Sequence, residues 1–212
     1  MFATKAIAVG LILLGLAGCD GSDPGAPAQP HGGAATGSPQ PSGDLANQLA
    51  AARSATARYV DDVAAAERDG YQIITKMMPG MGFHYLNPKV QGFDATRPPI
   101  LVYLQRDGGW QLAAVEWVFP ETPATPPLDG ATYGSFDAAC HFKDGTFVPA
   151  ATEAACAKTA PDTGAPFTFW HPKLVTLHAW IWYHNPAGLY NGTNPLVGAL
   201  SAGTQPQPPS GR

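Results

Sequence analysis

Two prolines before Ile100 and one after Phe119 fence off the stretch that most constrains what this chain can fold into. Proline cannot donate to a strand ladder, so Pro98-Pro99 and Pro120 mark its ends. Inside the fence, Ile100-Leu101-Val102-Tyr103-Leu104-Gln105 and Trp110 to Phe119 are apolar, β-branched and aromatic, and Arg106-Asp107-Gly108-Gly109 separates them. Asp-Gly-Gly supplies the positive φ angles of a tight connection, so the stretch is expected to be an antiparallel hairpin. Other strand signals surround it. Tyr71 to Met77 reads as a shorter strand, Phe142 to Val148 as a small hairpin turning at Asp144-Gly145, and Val175 to His184 as the last long strand.

Upstream the period changes. Leu45, Leu49, Ala52, Tyr59, Val63 and Ala66 recur at three-to-four spacing, with Arg53, Arg58, Asp61, Asp62 and Arg68 on the opposite side. With Ser42 or Asp44 as cap and Gly70 as stop, this predicts one amphipathic helix from about residue 44 to Asp69. The expected fold class is α+β, with one long N-terminal amphipathic helix packed on a mainly antiparallel β-sheet. Residues 44–200 are expected to be a single α+β domain.

The N-terminal segment carries an address. Lys5, an apolar run from Ala6 to Leu16, and small residues before a cysteine form the pattern of a secretory signal. Leu16-Ala17-Gly18-Cys19 resembles the lipobox of bacterial lipoproteins, in which the cysteine is lipidated and becomes the first mature residue. The apolar run is too short for the roughly 20 residues of a membrane-spanning helix. Residues 1–18 are thus expected to be a lipoprotein signal peptide, and 19–43 a lipidated Cys19 followed by a disordered spacer. Six Gly and five Pro fall among the 24 residues from Asp20 to Gly43, which cannot bury enough apolar surface to offset ordering entropy. Residues 201–212 read as a disordered tail. The expected location is the bacterial cell membrane, lipid-anchored, on its extracytoplasmic side.

In that oxidising setting Cys140 and Cys156 are expected to pair as a disulfide, with free thiols or soft metal ligands as the alternatives. The net charge of −4, with no basic cluster, argues against nucleic acid as a partner. The membrane, reached through the lipidated N-terminus, and a small-molecule or envelope partner remain.

Three groups of residues could carry chemistry. Alternation along the last strand places His178, Trp180, Trp182 and His184 on one face, and Leu177, Ala179, Ile181 and Tyr183 on the other. Two imidazoles and two indole N–H groups all need partners, so this face is expected either to line a ligand cleft or to lie under loops. The second group is Met78, Met81 and His84, soft thioethers and an imidazole that suit copper. Against it, methionine is the routine filler of irregular core gaps. The third is His84, Glu116 and His178, a His/carboxylate set suited to zinc. Glu116 with a histidine could also serve as an acid–base pair. The chain has no Gly-x-Ser-x-Gly, His-Glu-x-x-His or Ser-x-x-Lys motif, which lowers the enzyme reading.

Asp69-Gly70-Tyr71, Gly80-Met81-Gly82-Phe83-His84-Tyr85-Leu86-Asn87-Pro88, Val115-Glu116-Trp117-Val118 and Leu177 to Gly188 together resemble a family of uncharacterised bacterial secreted proteins and lipoproteins. The resemblance covers most of Asp61 to Val197 and implies that these blocks belong to one domain. It implies no catalytic residues. The expected function is a lipid-anchored extracytoplasmic protein that binds a ligand or associates with the cell envelope. A copper- or zinc-binding lipoprotein is the alternative, and a hydrolase the third reading.

Overall fold

The computed structural model describes residues 43–197. The signal peptide, Cys19, nearly all of the spacer and the tail from 201 lie outside the described residues. The fold is mostly antiparallel sheet with few helices. Two helices, α1 (Gly43–Thr56) and α2 (Val63–Arg68), precede nine strands. These are β1 (Gln72–Met78), β2 (Gly82–Leu86), β3 (Ile100–Arg106), β4 (Gly109–Phe119), β5 (Gly134–Phe136), β6 (Ala139–Phe142), β7 (Phe147–Pro149), β8 (Phe167–His171) and β9 (Leu174–Ala179). A six-stranded sheet has the order β1-β2-β3-β4-β9-β5, and a three-stranded sheet the order β7-β6-β8. Every pairing in both is antiparallel.

The proline-fenced hairpin forms as β3 and β4, turning at Asp107 and Gly108 with φ of 51° and 79°. The helix does not run unbroken to Asp69. It stops at Thr56, passes through a 3-10 turn at Ala57–Tyr59, and restarts at Val63 with the Asp62 carboxylate accepting from Ala65 N–H. Tertiary bonds explain the break. The Tyr103 hydroxyl donates to Tyr59 O at 2.9 Å, and Leu112 N–H donates to Val60 O at 2.7 Å, tying this corner to β3 and β4. A straight helix could not offer those carbonyls, because its own ladder would use them.

The large sheet is apolar on both faces. Leu101, Tyr103, Val115, Trp117 and Leu177 pack with Leu45, Leu49 and Ala52 of α1 in one core cluster. Ile100, Val102, Leu104, Ala114 and Trp180 form a second cluster with Val197. Part of that second face is roofed by the C-terminal loop, whose Leu189 O accepts Trp180 N–H at 3.0 Å and whose Asn191 O accepts the Trp180 indole N–H at 2.6 Å.

The small sheet covers the rest. It joins the large sheet at the β5/β9 edge, through the short links from β5 to β6 and from β8 to β9. Its β6–β7 hairpin then meets β1, the opposite edge strand. Lys76 N–H donates to Gly145 O at 2.8 Å, and Lys76 Nζ lies 3.0 Å from Asp144 Oδ2. The Cys140–Cys156 disulfide, with Cα atoms 5.7 Å apart, cross-links the same sheet. Closing a loop of 16 residues is worth about 3 kcal/mol in the chain-entropy model.

Gly145 makes the hairpin's contact with β1. It has φ +79°, and a Cβ there would lie 2.9 Å from Ile73 Cγ1 and 3.1 Å from Lys76 N. Gly145→Ala is expected to destabilise the protein by about 2 kcal/mol in urea denaturation, from left-handed strain and steric conflict combined. An unchanged midpoint would contradict this packing.

Candidate ligand cavity between the two sheets

Between the second face of the large sheet and the small sheet lies a cavity of about 280 Å³. Ile74, Leu86, Ile100, Val118, Phe169 and Leu174 supply most of its wall. Four buried titratable side chains, His84, Glu116, His141 and His171, border it.

A chain of side chains crosses its floor. Register shifts on either side of Thr75 interrupt the β1–β2 ladder, and Thr75 sits directly opposite His84. Thr75 Oγ1 accepts from His84 backbone N–H at 3.1 Å and is also hydrogen-bonded to His84 Nδ1, 2.8 Å away. The other ring nitrogen, Nε2, faces Glu116 Oε2 at 3.7 Å. Thr176, from β9, donates to the Glu116 carboxyl.

The separation of 3.7 Å would suit an ion pair, yet both side chains are almost wholly buried. Desolvation dominates and favours the neutral forms. Burial lowers His84 to about 4 and raises Glu116 to about 7, the latter against the Thr176 hydrogen bond. Burial lowers His141 to about 4 despite its bond to the Ile74 carbonyl. It lowers His178 to about 3, with the neighbouring His84 pushing the same way.

The last strand departs from the expected alternation. β9 ends at Ala179, and Trp182 and Tyr183 N–H groups both turn to Ala113 O. His178 and Trp180 are buried side by side, their ring centroids 4.8 Å apart. Trp182 crosses to the helix side, where its indole N–H donates to Thr56 Oγ1 at 2.9 Å. His184 is exposed. These four side chains therefore form no common cleft wall. The strand ends directly after His178 and Ala179, too soon for alternation to persist, and the roofing loop covers Trp180.

His178 stands directly across from Glu116 on β9, its ring 6.2 Å from that of His84. Both its ring nitrogens are buried without a partner, and it lies outside the cavity wall. His84, Glu116 and His178 are thus neighbours that do not converge. Among the described residues no three His, Cys, Asp or Glu side chains are arranged to hold a metal ion. Met78, Met81 and His84 do border one cavity, with Thr75 Oγ1 2.8 Å from His84 Nδ1.

Sequence reasoning found Glu116, His84, Met78 and Met81, and missed Thr75, Thr176 and the roles of His141 and His171. The threonines gave no signal, since a half-polar strand residue is ordinary.

Fold and site together define a two-sheet antiparallel domain with an inter-sheet cavity that holds one uncompensated carboxyl. No protein-family model, curated protein or solved structure matches the chain.

The shifted groups give stability a signed pH dependence. Below 6.5 the unfolded histidines take up protons that His84, His141 and His178 refuse until about 4, 4 and 3, so stability falls as pH falls. Glu116 acts oppositely. Its contribution is full below 4.5 and is lost as pH rises through about 7. Glu116→Gln should therefore gain stability relative to the parent by roughly 1.4 kcal/mol per pH unit across that window. Urea denaturation at pH 5 and pH 8 checks it; the same difference at both values would contradict a buried protonated Glu116.

Proposed function

We propose that this chain is a small-molecule-binding protein, held outside the cytoplasm by a lipid on Cys19, with the inter-sheet cavity as its ligand site. The observation that carries this reading is the cavity of about 280 Å³, apolar in most of its wall and equipped with a few buried polar groups. An apolar cavity of about 150 Å³ suffices for benzene, so this one has room for roughly ten non-hydrogen atoms. The Cys140–Cys156 disulfide is in keeping with an oxidising compartment. The lipobox-like Leu16-Ala17-Gly18-Cys19 and the resemblance to bacterial secreted proteins and lipoproteins support the membrane-anchored address.

A hydrolase is the second reading, favoured by the approach of Glu116 to His84 at the cavity floor. It ranks lower because Ser135, the cavity hydroxyl not already bonded to those groups, sits on an exposed strand position.

Two experiments test the proposal. Titrating n-hexanol should raise the melting temperature as RT ln(1 + [L]/Kd) requires, and Val118→Trp, which fills the wall, should remove the rise. No rise with the parent chain would overturn the cavity as a ligand site. Expressed in a bacterium, the parent should partition with membranes and Cys19→Ser should be released; retention of the serine variant would overturn the lipid anchor.

A further inference from the structure

The polar atoms of the cavity have a common chemical character, and hydrogen-bond accounting exposes it. A backbone carbonyl only accepts, so His141 Nδ1, 2.8 Å from Ile74 O, must carry the ring proton. In a neutral ring that leaves Nε2 as a bare acceptor, and it is buried with no partner. His171 follows the same rule, since its Nδ1 lies 2.6 Å from Pro172 O.

The donors are already committed. Thr75 Oγ1 is bonded to His84 Nδ1, and Thr176 is hydrogen-bonded to Glu116. Among the described residues, no Lys, Arg or Asp borders the cavity. What the cavity offers a guest is therefore one carboxyl on the floor with no cation beside it. A guest carboxylate would find no cation there, and a ketone or ether would find the O–H of the protonated Glu116 but no charged donor. A guest rich in donors fits.

We infer that the cavity takes a small amine, its ammonium head paired with the Glu116 carboxylate and its apolar body lying along the Ile100 and Val118 wall. This inference rests on the cavity being the ligand site, as proposed above. The ammonium supplies the cation that Glu116 lacks. Aromatic rings of Phe136 and Phe169 in the same wall add faces on which a cation is favoured.

Proton balance gives the inference a signature. The free site holds a protonated carboxyl near neutrality, so an entering ammonium displaces that proton to solvent and leaves a carboxylate–ammonium pair. The titratable groups facing Glu116 are His84 from β2 and His178 from β9, both held neutral by burial, with His141 and His171 on the small-sheet wall. Amine affinity should accordingly rise with pH through about 7.

The test titrates the purified chain with n-hexylamine, n-hexanol and hexanoate at pH 6 and pH 8, by calorimetry. Hexylamine is expected to bind at least about tenfold more tightly than hexanol at pH 8, and about tenfold more tightly at pH 8 than at pH 6. Glu116→Gln should lose the amine preference while keeping hexanol. If hexanol or hexanoate binds as well as the amine, or if the variant leaves the amine preference intact, the amine inference is overturned and the cavity reading stands. If none of the three binds, both fall. Should the variant not fold, the parent chain decides alone: hexylamine affinity that is equal at pH 6 and pH 8 overturns the inference, and a rise with pH supports it.

Discussion

A carboxyl group placed at the middle of an apolar sheet face is the constraint around which this structure is arranged. Glu116 lies on β4, between β3 and β9, with no Lys or Arg at hand among the described residues. Ionising it there would cost several kcal/mol of desolvation that nothing nearby repays. The surroundings are those of a proton-bearing acid: burial outweighs the Thr176 contact that favours the carboxylate, and His84 beside it is held neutral by the same burial. Such a group contributes little to stability, and an aliphatic residue would pack the same site more favourably. Its presence opposite a cavity is best understood as function.

The cavity exists because two sheets are prevented from collapsing onto each other. The small sheet starts from one edge of the large sheet and is tied to the other by Gly145, Asp144 and the His141–Ile74 bond. Its own side chains form a separate minor core around Cys140, Phe142 and Ala160. Being cross-linked and separately packed, it behaves as a stiff span over the large sheet. The space beneath it follows from that stiffness, since a flexible cover would fill it with side chains.

Much of the fold was legible in local chemistry. The β3–β4 hairpin, its Asp107-Gly108 turn, the β6–β7 hairpin and the cysteine pair all declare themselves through proline, glycine and alternation. What escaped was set by distant contacts. The helix breaks at Thr56 because Tyr103 and Leu112 claim the carbonyls of Tyr59 and Val60, and neither residue is near in sequence. β2 begins at Gly82, directly after Gly80-Met81, where no strand alternation announces it, and its pairing with β1 is interrupted by register shifts. The site was half legible: Glu116 stands out in a predicted strand, and His84 as an imidazole beside two methionines. Their meeting over a cavity depends on the small sheet, which no periodicity announces, and Trp182 left its expected face because β9 ends at Ala179.

The central claim is that Glu116 waits as a protonated acid and becomes a carboxylate when an amine enters. Infrared difference spectroscopy reads this directly, with the carbonyl stretch of the protonated acid assigned by its loss in Glu116→Gln. At pH 6 the account predicts that this band is present in the free protein. Saturating n-hexylamine should replace it with carboxylate absorption, and n-hexanol should leave it in place. A free protein without the band, or a band that hexylamine leaves untouched, would contradict the account.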